Sequence, residues 1–289
     1  MPEDRVIETN GVRLHVMLDG PQDGPPVIML HGFPETWLCW HKEAEILAAA
    51  GYRVILPNQR GYEQSDKPRG VRNYRIDLLI ADIAGLMDSL GYNQFDLVGH
   101  DWGSVVAQHF AEAYPDRVKH LIVSNAPHLN LLAQAYLQHP EQILKSWYVV
   151  FFQLPWLPEY ALQHGLGRRA MFGHNRFSAD EIRQYEQAWA IPGAATAMIN
   201  WYRASYRASL ATTMGALLHR RPIPTPHITV PTLILWGKRD AFLIPELAEA
   251  MLKACPNGRL EYFPDASHWL PTEQPTEVSQ RILEFIKPS

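Results

Sequence analysis

The sequence predicts a doubly wound, mostly parallel α/β sheet that carries an inserted helical cap. Three observations lead there. Short apolar runs bounded by turn residues alternate with longer amphipathic stretches, as strand and helix do in βαβ units. Several of the runs are apolar at nearly every position, which strands buried on both faces of a parallel sheet require. The alternation stops near residue 126 and resumes near residue 230, with helical periodicity and many aromatics between.

Taken in order, Val12–Leu18, Val27–Leu30, Arg53–Leu56, Phe95–Val98 and His120–Ser124 read as strands before the interruption. Thr232–Trp236 and Arg259–Phe263 read as strands after it. Helical patterns cover Ile76–Leu90, Ser104–Ala113, Pro245–Lys253 and Glu277–Ile286. Inside the interruption, Ser178-Ala179-Asp180-Glu181 has the form of a capping box, because serine and glutamate can each satisfy an orphan N–H of the other. It predicts a helix through Trp189. Pro192 is placed to open the next helix, through Tyr202, since a first helical residue needs no N–H. The expected organisation is a core over 1–125, a helical cap over 126–229 and the rest of the core over 230–289.

Composition narrows the function classes. With 47% hydrophobic and 19% charged residues among 289, the chain can bury a large core. A formal net charge of −4 gives no electrostatic footprint for nucleic acid or an anionic membrane. Two cysteines, Cys39 and Cys255, are too few for a disulfide framework and lack metal-ligand spacing. No apolar leader opens the chain, and no apolar run approaches the ~18 residues that span a bilayer. The expectation is a soluble protein of a reducing cytoplasm, with no metal or organic cofactor implied.

The sharpest chemical signal is Gly99-His100-Asp101-Trp102-Gly103-Ser104, between a strand and a helix. Small residues on either side of a potential nucleophile are the mark of a nucleophile elbow, with Asp in place of the esterase Ser. A tight turn there lifts one side chain above the carboxyl edge of the sheet. The helix N-terminus behind it favours a carboxylate and offers N–H groups to an oxyanion. His31-Gly32-Phe33-Pro34-Glu35 follows the strand Val27–Leu30, where this architecture supplies the other oxyanion donor. The Phe33 and Trp102 N–H groups are therefore the expected oxyanion hole. Asp240 follows the strand Thr232–Trp236, and His268 follows Arg259–Phe263. Nucleophile, acid, histidine is the chain order of such triads. Asp240 would orient the imidazole and His268 would act as base. Asp265 lies too close to His268 in sequence for the acid's place, and Asp116 sits in a helix-end turn.

Along essentially its whole length the chain resembles an epoxide hydrolase of the α/β-hydrolase superfamily. The likeness rests on His31–Glu35, Arg60-Gly61-Tyr62 with Ser65, Gly99–Gly103, Asn125-Ala126-Pro127-His128, and the Asp240 and His268 loops. It implies that Asp101 is a nucleophile forming an alkyl ester that water, activated by His268 and Asp240, then hydrolyses. It implies too that two cap tyrosines hold the epoxide oxygen. Asn200-Trp201-Tyr202-Arg203-Ala204 points to Tyr202, and Tyr148-Val149-Val150-Phe151-Phe152-Gln153 to Tyr148. The chain departs from the pattern at Asn58 and Glu63, where relatives usually carry Asp and Gly, which bears on local packing. A haloalkane or haloacid dehalogenase on the same scaffold is the alternative, because Trp102 could hold a halide. Against it, Phe33 stands where a second halide donor is usual, and no arginine follows Asp101. A serine esterase would need Ser104, which lies in the helix, and a non-catalytic binding protein would have no use for a base. The aromatic residues Trp147, Phe151, Phe152, Trp156, Trp189 and Trp269, with Met198, are candidates to line a pocket for a small apolar epoxide. Trp147, Phe151 and Trp269 are the leading substrate-binding candidates, and the partners expected are this substrate and water.

Overall fold

The computed structural model describes residues 2–166, 177–218 and 220–287. Among these residues eight strands form one sheet: β1 (Glu3–Thr9), β2 (Val12–Asp19), β3 (Pro26–Leu30), β4 (Arg53–Pro57), β5 (Phe95–His100), β6 (Val118–Ser124), β7 (Thr232–Gly237) and β8 (Gly258–Phe263). Their spatial order is β1-β2-β4-β3-β5-β6-β7-β8. The β1–β2 and β2–β4 pairs are antiparallel and all the others parallel. Each run expected as a strand is one.

The continuous apolar runs have a simple cause. Side chains alternate across a strand, and both faces of this sheet are covered. Ile28 and Leu30 enter one core cluster with α2 (Ile76–Ser89) and α3 (Trp102–Ala113). Val27 and Met29 enter another with α1 (His41–Ala49) on the opposite face. Each such buried side chain contributes about 1.5–3 kcal/mol, so neither face tolerates a polar residue cheaply.

Among the described residues, the α-helices between β6 and β7 are α4 (Leu129–Gln138), α5 (Pro140–Lys145), α6 (Trp147–Phe151), α7 (Leu157–Ala161), α8 (Ala179–Ala190) and α9 (Ala194–Leu218). The capping box of α8 is present: Glu181 N–H donates to Ser178 Oγ at 3.1 Å, and Ser178 N–H to the Glu181 carboxylate at 2.6 Å. The expected Pro192–Tyr202 helix is corrected at both ends. Gly193 adopts φ +84°, which delays the start to Ala194. The helix then runs 25 residues to Leu218, because Tyr202 is followed by good helix formers and no proline. Beyond β7 come α10 (Glu246–Ala254), α11 (Leu270–Glu273) and α12 (Pro275–Ile286), the last packed on α1's side of the sheet.

Trp189, Trp201 and Gln142 are among the groups that fasten the cap to the core. Trp189 Nε1–H donates to Pro34 O at 2.7 Å, and Trp201 Nε1–H to Arg60 O at 3.0 Å. The buried Gln142 amide donates to Phe242 O at 2.9 Å and accepts from Ile244 N–H at 3.0 Å. The two unusual loop residues are accommodated locally. Asn58 Oδ1 accepts from Trp37 N–H at 3.0 Å. Glu63 sits at φ +42°, in the left-handed region that favours glycine, with its carboxylate 3.1 Å from His15 Nδ1.

Candidate active site

Asp101 stands between the end of β5 and the start of α3, with φ +48° and ψ −120°. α3 begins at Trp102, two residues earlier than the sequence suggests, so the turn is tighter than expected. A Cβ on Gly103 would lie 2.0 Å from Leu30 O, and only a hydrogen fits there. This packing draws β3 and its following loop up to the elbow. Phe33 N–H donates to Asp101 Oδ1 at 2.8 Å as a result. The other expected oxyanion donor, Trp102, occupies the first turn of α3, and the Asp101 side chain makes no capping hydrogen bond to that helix.

Three strand ends bring the remaining groups together. His268 Nε2 lies 3.3 Å from Asp101 Oδ2, and His268 Nδ1 lies 2.8 Å from Asp240 Oδ2. Asp240 is held in turn by Phe242 N–H at 2.7 Å, Leu243 N–H at 3.0 Å and the Asn125 amide at 2.8 Å. Asn125 also accepts from Gly237 N–H at 3.1 Å, which ties the end of β6 to the end of β7. The competing carboxylates lie elsewhere. Asp265 pairs with Arg239 at the surface, and Asp116 lies in the short turn Pro115–Arg117.

The electrostatics follow from burial and this geometry. Burial alone would raise the Asp101 carboxyl, but the hydrogen bond and charge of His268, with Phe33 N–H, hold it below its ordinary range. Burial opposes charge on His268. The Asp240 and Asp101 carboxylates outweigh it and raise the imidazole above its ordinary value. Burial, reinforced by the negative Asp101, pushes the hydroxyls of Tyr148 and Tyr202 well above the usual tyrosine value. Both therefore stay protonated near neutral pH and are available as donors.

Tyr148 projects from α6 and Tyr202 from α9, their ring centroids 5.8 Å apart. Together with Asp101 they line two cavities of about 80 and 90 Å³. Trp102 packs edge-to-face on Tyr202 with centroids 5.1 Å apart. Trp147, Phe152 and Trp269 line the second cavity. The remaining aromatic candidates are placed differently. Phe151 lines neither cavity and packs against Trp147, four residues earlier on the same helical face, and against Phe152. Trp156 is 72% exposed, while Trp189 and Met198 are buried in the core contacts of the cap.

Several residues without an assigned role also build the site. Asn125 and Phe242 are two. Glu35 and His100 are two more: Glu35 accepts from Gly32 N–H at 3.1 Å, and its carboxylate lies 3.6 Å from His100 Nε2. Burial and the Asp101 charge push Glu35 up to about 8, while burial and the His268 charge push His100 down to about 3. Both are thus neutral at neutral pH beneath the elbow. A carboxyl three residues past the glycine of a strand-end loop is the one sequence sign of this. Among the described residues no group of three His, Cys, Asp or Glu side chains could hold a metal ion. Nor is any helix among them long and apolar enough to cross a membrane.

An elbow, an acid and a histidine at the carboxyl ends of the parallel strands β5, β7 and β8 define a hydrolase of the α/β-hydrolase class. The profile of the alpha/beta hydrolase fold family matches residues 25–275. The chain is 42% identical to AB hydrolase superfamily protein YfhM of Bacillus subtilis (strain 168), covering 97% of this chain and 96% of that one. It is 36% identical to Epoxide hydrolase 4 of Homo sapiens, covering 97% of this chain and 77% of that one. The crystal structure of a Bacillus megaterium epoxide hydrolase in complex with an inhibitor superposes with a TM-score of 0.86 at 28% identity, over 98% of this chain and 99% of that one. Within that class, the chain belongs to the epoxide hydrolases of the α/β-hydrolase superfamily.

Proposed function

We propose that this protein hydrolyses a small apolar epoxide to a vicinal diol through an alkyl ester on Asp101. The observation that carries the reading is the convergence of Asp101 and His268 on one side with two protonated tyrosines on the other. An Asp101 carboxylate oxygen attacks one ring carbon from behind, and the C–O bond to the ring oxygen breaks. The departing oxygen takes a proton from Tyr148 or Tyr202, leaving a tyrosinate. His268 then removes a proton from water, whose oxygen bonds to the Asp101 carbonyl carbon. The Phe33 and Trp102 N–H groups face the resulting oxyanion, a contribution of roughly 3–4 kcal/mol per donor at comparable sites. Collapse breaks the acyl–oxygen bond, and the diol oxygen takes the proton from His268. The second water proton, released as Asp101 re-ionises, restores the tyrosine. Epoxide plus water gives diol, and the proton that His268 gives up to solvent when Asp101 loses its charge is taken back as Asp101 re-ionises.

Trp102 is the observation that favours the alternative, dehalogenation on the same scaffold. That reading leaves the two tyrosines over Asp101 without a task. The test is mass spectrometry of the His268→Gln variant after incubation with styrene oxide and, separately, with 1-bromobutane. The expected result is an Asp101 peptide heavier by the whole mass of styrene oxide, since ring opening loses no atom, and no butyl adduct. A butyl adduct alone overturns the proposal in favour of dehalogenation.

A further inference from the structure

Asp101, Tyr148 and Tyr202 line both cavities, so the reacting centre lies where two lobes meet rather than at the end of one. The lobes differ in chemistry. Beyond Asp101, His268 and the two tyrosines, one is lined by rings and aliphatic carbon, from Phe33, Trp147, Phe152, Leu162, Phe242 and Trp269, with no further side-chain hydroxyl. The other is lined along α9 by Tyr202, Ser205, Tyr206 and Ser209. Residues three and four apart fall on one helical stripe, so a row of hydroxyls climbs away from Tyr202. Tyr136 of α4 also lines this lobe. Ser205 is buried, and Tyr136, Tyr206 and Ser209 are half-buried.

This row can donate to or accept from a neutral polar group. An ionised one fits poorly. Among the described residues no Lys, Arg or His lines the lobe, and its one charge, Asp101, is negative. A carboxylate there would lose hydration without gaining a counter-charge.

We infer that the substrate is an internal epoxide, apolar on one ring carbon and bearing on the other an arm that ends in a neutral hydrogen-bonding group such as a hydroxyl. Ser205, Tyr206 and Ser209 select that arm. The inference rests on the reading that Asp101 opens epoxides.

The experiment compares kcat/KM for trans-3-phenylglycidol, trans-β-methylstyrene oxide, trans-3-phenylglycidate and styrene oxide. These place a hydroxymethyl group, a methyl group, a carboxylate or nothing on the second ring carbon. The expected order puts the alcohol about tenfold above the methyl compound, the worth of one partly solvated hydrogen bond, with the carboxylate lowest. In the triple variant Ser205→Ala, Tyr206→Phe, Ser209→Ala the alcohol-to-methyl ratio is expected to fall to about one. Because the readout is a ratio, general damage to the enzyme cancels. A wild-type ratio at or below one, or a ratio unmoved in the triple variant, overturns the selection by hydroxyls. Styrene oxide as the best substrate overturns the two-armed reading. Turnover of none of the four, with no Asp101 adduct, removes the function itself and this inference with it.

Discussion

At the scale of single residues, the proposed ester on Asp101 would change the character of the Asp101–His268 pair. In the free enzyme two carboxylates raise the His268 imidazole. The ester removes one of those charges, so the imidazole becomes easier to deprotonate when a base is needed. The sign of the pH dependence follows. Asp101, held below the ordinary carboxylate range, stays ionised and, on the proposed mechanism, would attack well into mild acid. His268 in the ester still charges as the pH falls, and ester hydrolysis then stalls. Rapid quench at pH 5.5 is expected to show more alkyl-enzyme than at pH 8, read by mass spectrometry of the Asp101 peptide. Equal occupancy at both values would falsify the base role of His268.

At the scale of elements, the elbow depends on how closely α3 can approach β3. Gly103→Ala would drive a methyl into Leu30 O, a backbone atom that cannot swing aside. The expected cost is about 1–3 kcal/mol, with loss of turnover as Phe33 N–H and Asp101 move apart. Thermal unfolding and activity assays check it, and unchanged values for both would show that the loop yields. The same closeness explains what was legible in advance. The parallel strands announce themselves because both faces bury carbon, and the order of Asp101, Asp240 and His268 needs no coordinates. β1 escapes because five of its seven residues are polar and it pairs at the sheet edge. Its one sequence sign is Asn10-Gly11, a two-residue turn at φ +46° and +74° suited to a hairpin. The lining of the lobes was legible only in part. Tyr202 is marked by its surrounding motif. Ser205 and Ser209 differ from other helical serines only by the direction that the long α9 gives them.

At the scale of the molecule, two apolar faces stabilise the sheet while ionisable groups are carried inside it. Glu43 on α1 is fully buried, and that burial raises its carboxyl well above the ordinary value. Such a group is protonated in the folded chain while the unfolded chain ionises near ~4.3. Stability is therefore lost as the pH rises above that value, until the folded-state value is reached. Glu43→Gln, isosteric with the protonated acid, is expected to raise Tm by a few degrees at pH 8. The gain should shrink towards nothing near pH 4. Calorimetry across that range tests it, and a Tm difference independent of pH would mean that Glu43 is not the group responsible.

The clasp that Gln142 makes also sets up a clock within the molecule. Ile244 N–H is given to a cap side chain, whereas the neighbouring Phe242 and Leu243 N–H groups are given to Asp240 within their own loop. Deuterium can replace the Ile244 proton only when Gln142 withdraws, but it can replace the other two only when the acid's own loop opens. One amide thus counts departures of the cap and its neighbours count failures of the catalytic frame. The difference between their exchange rates separates breathing that admits substrate from breathing that dismantles the site.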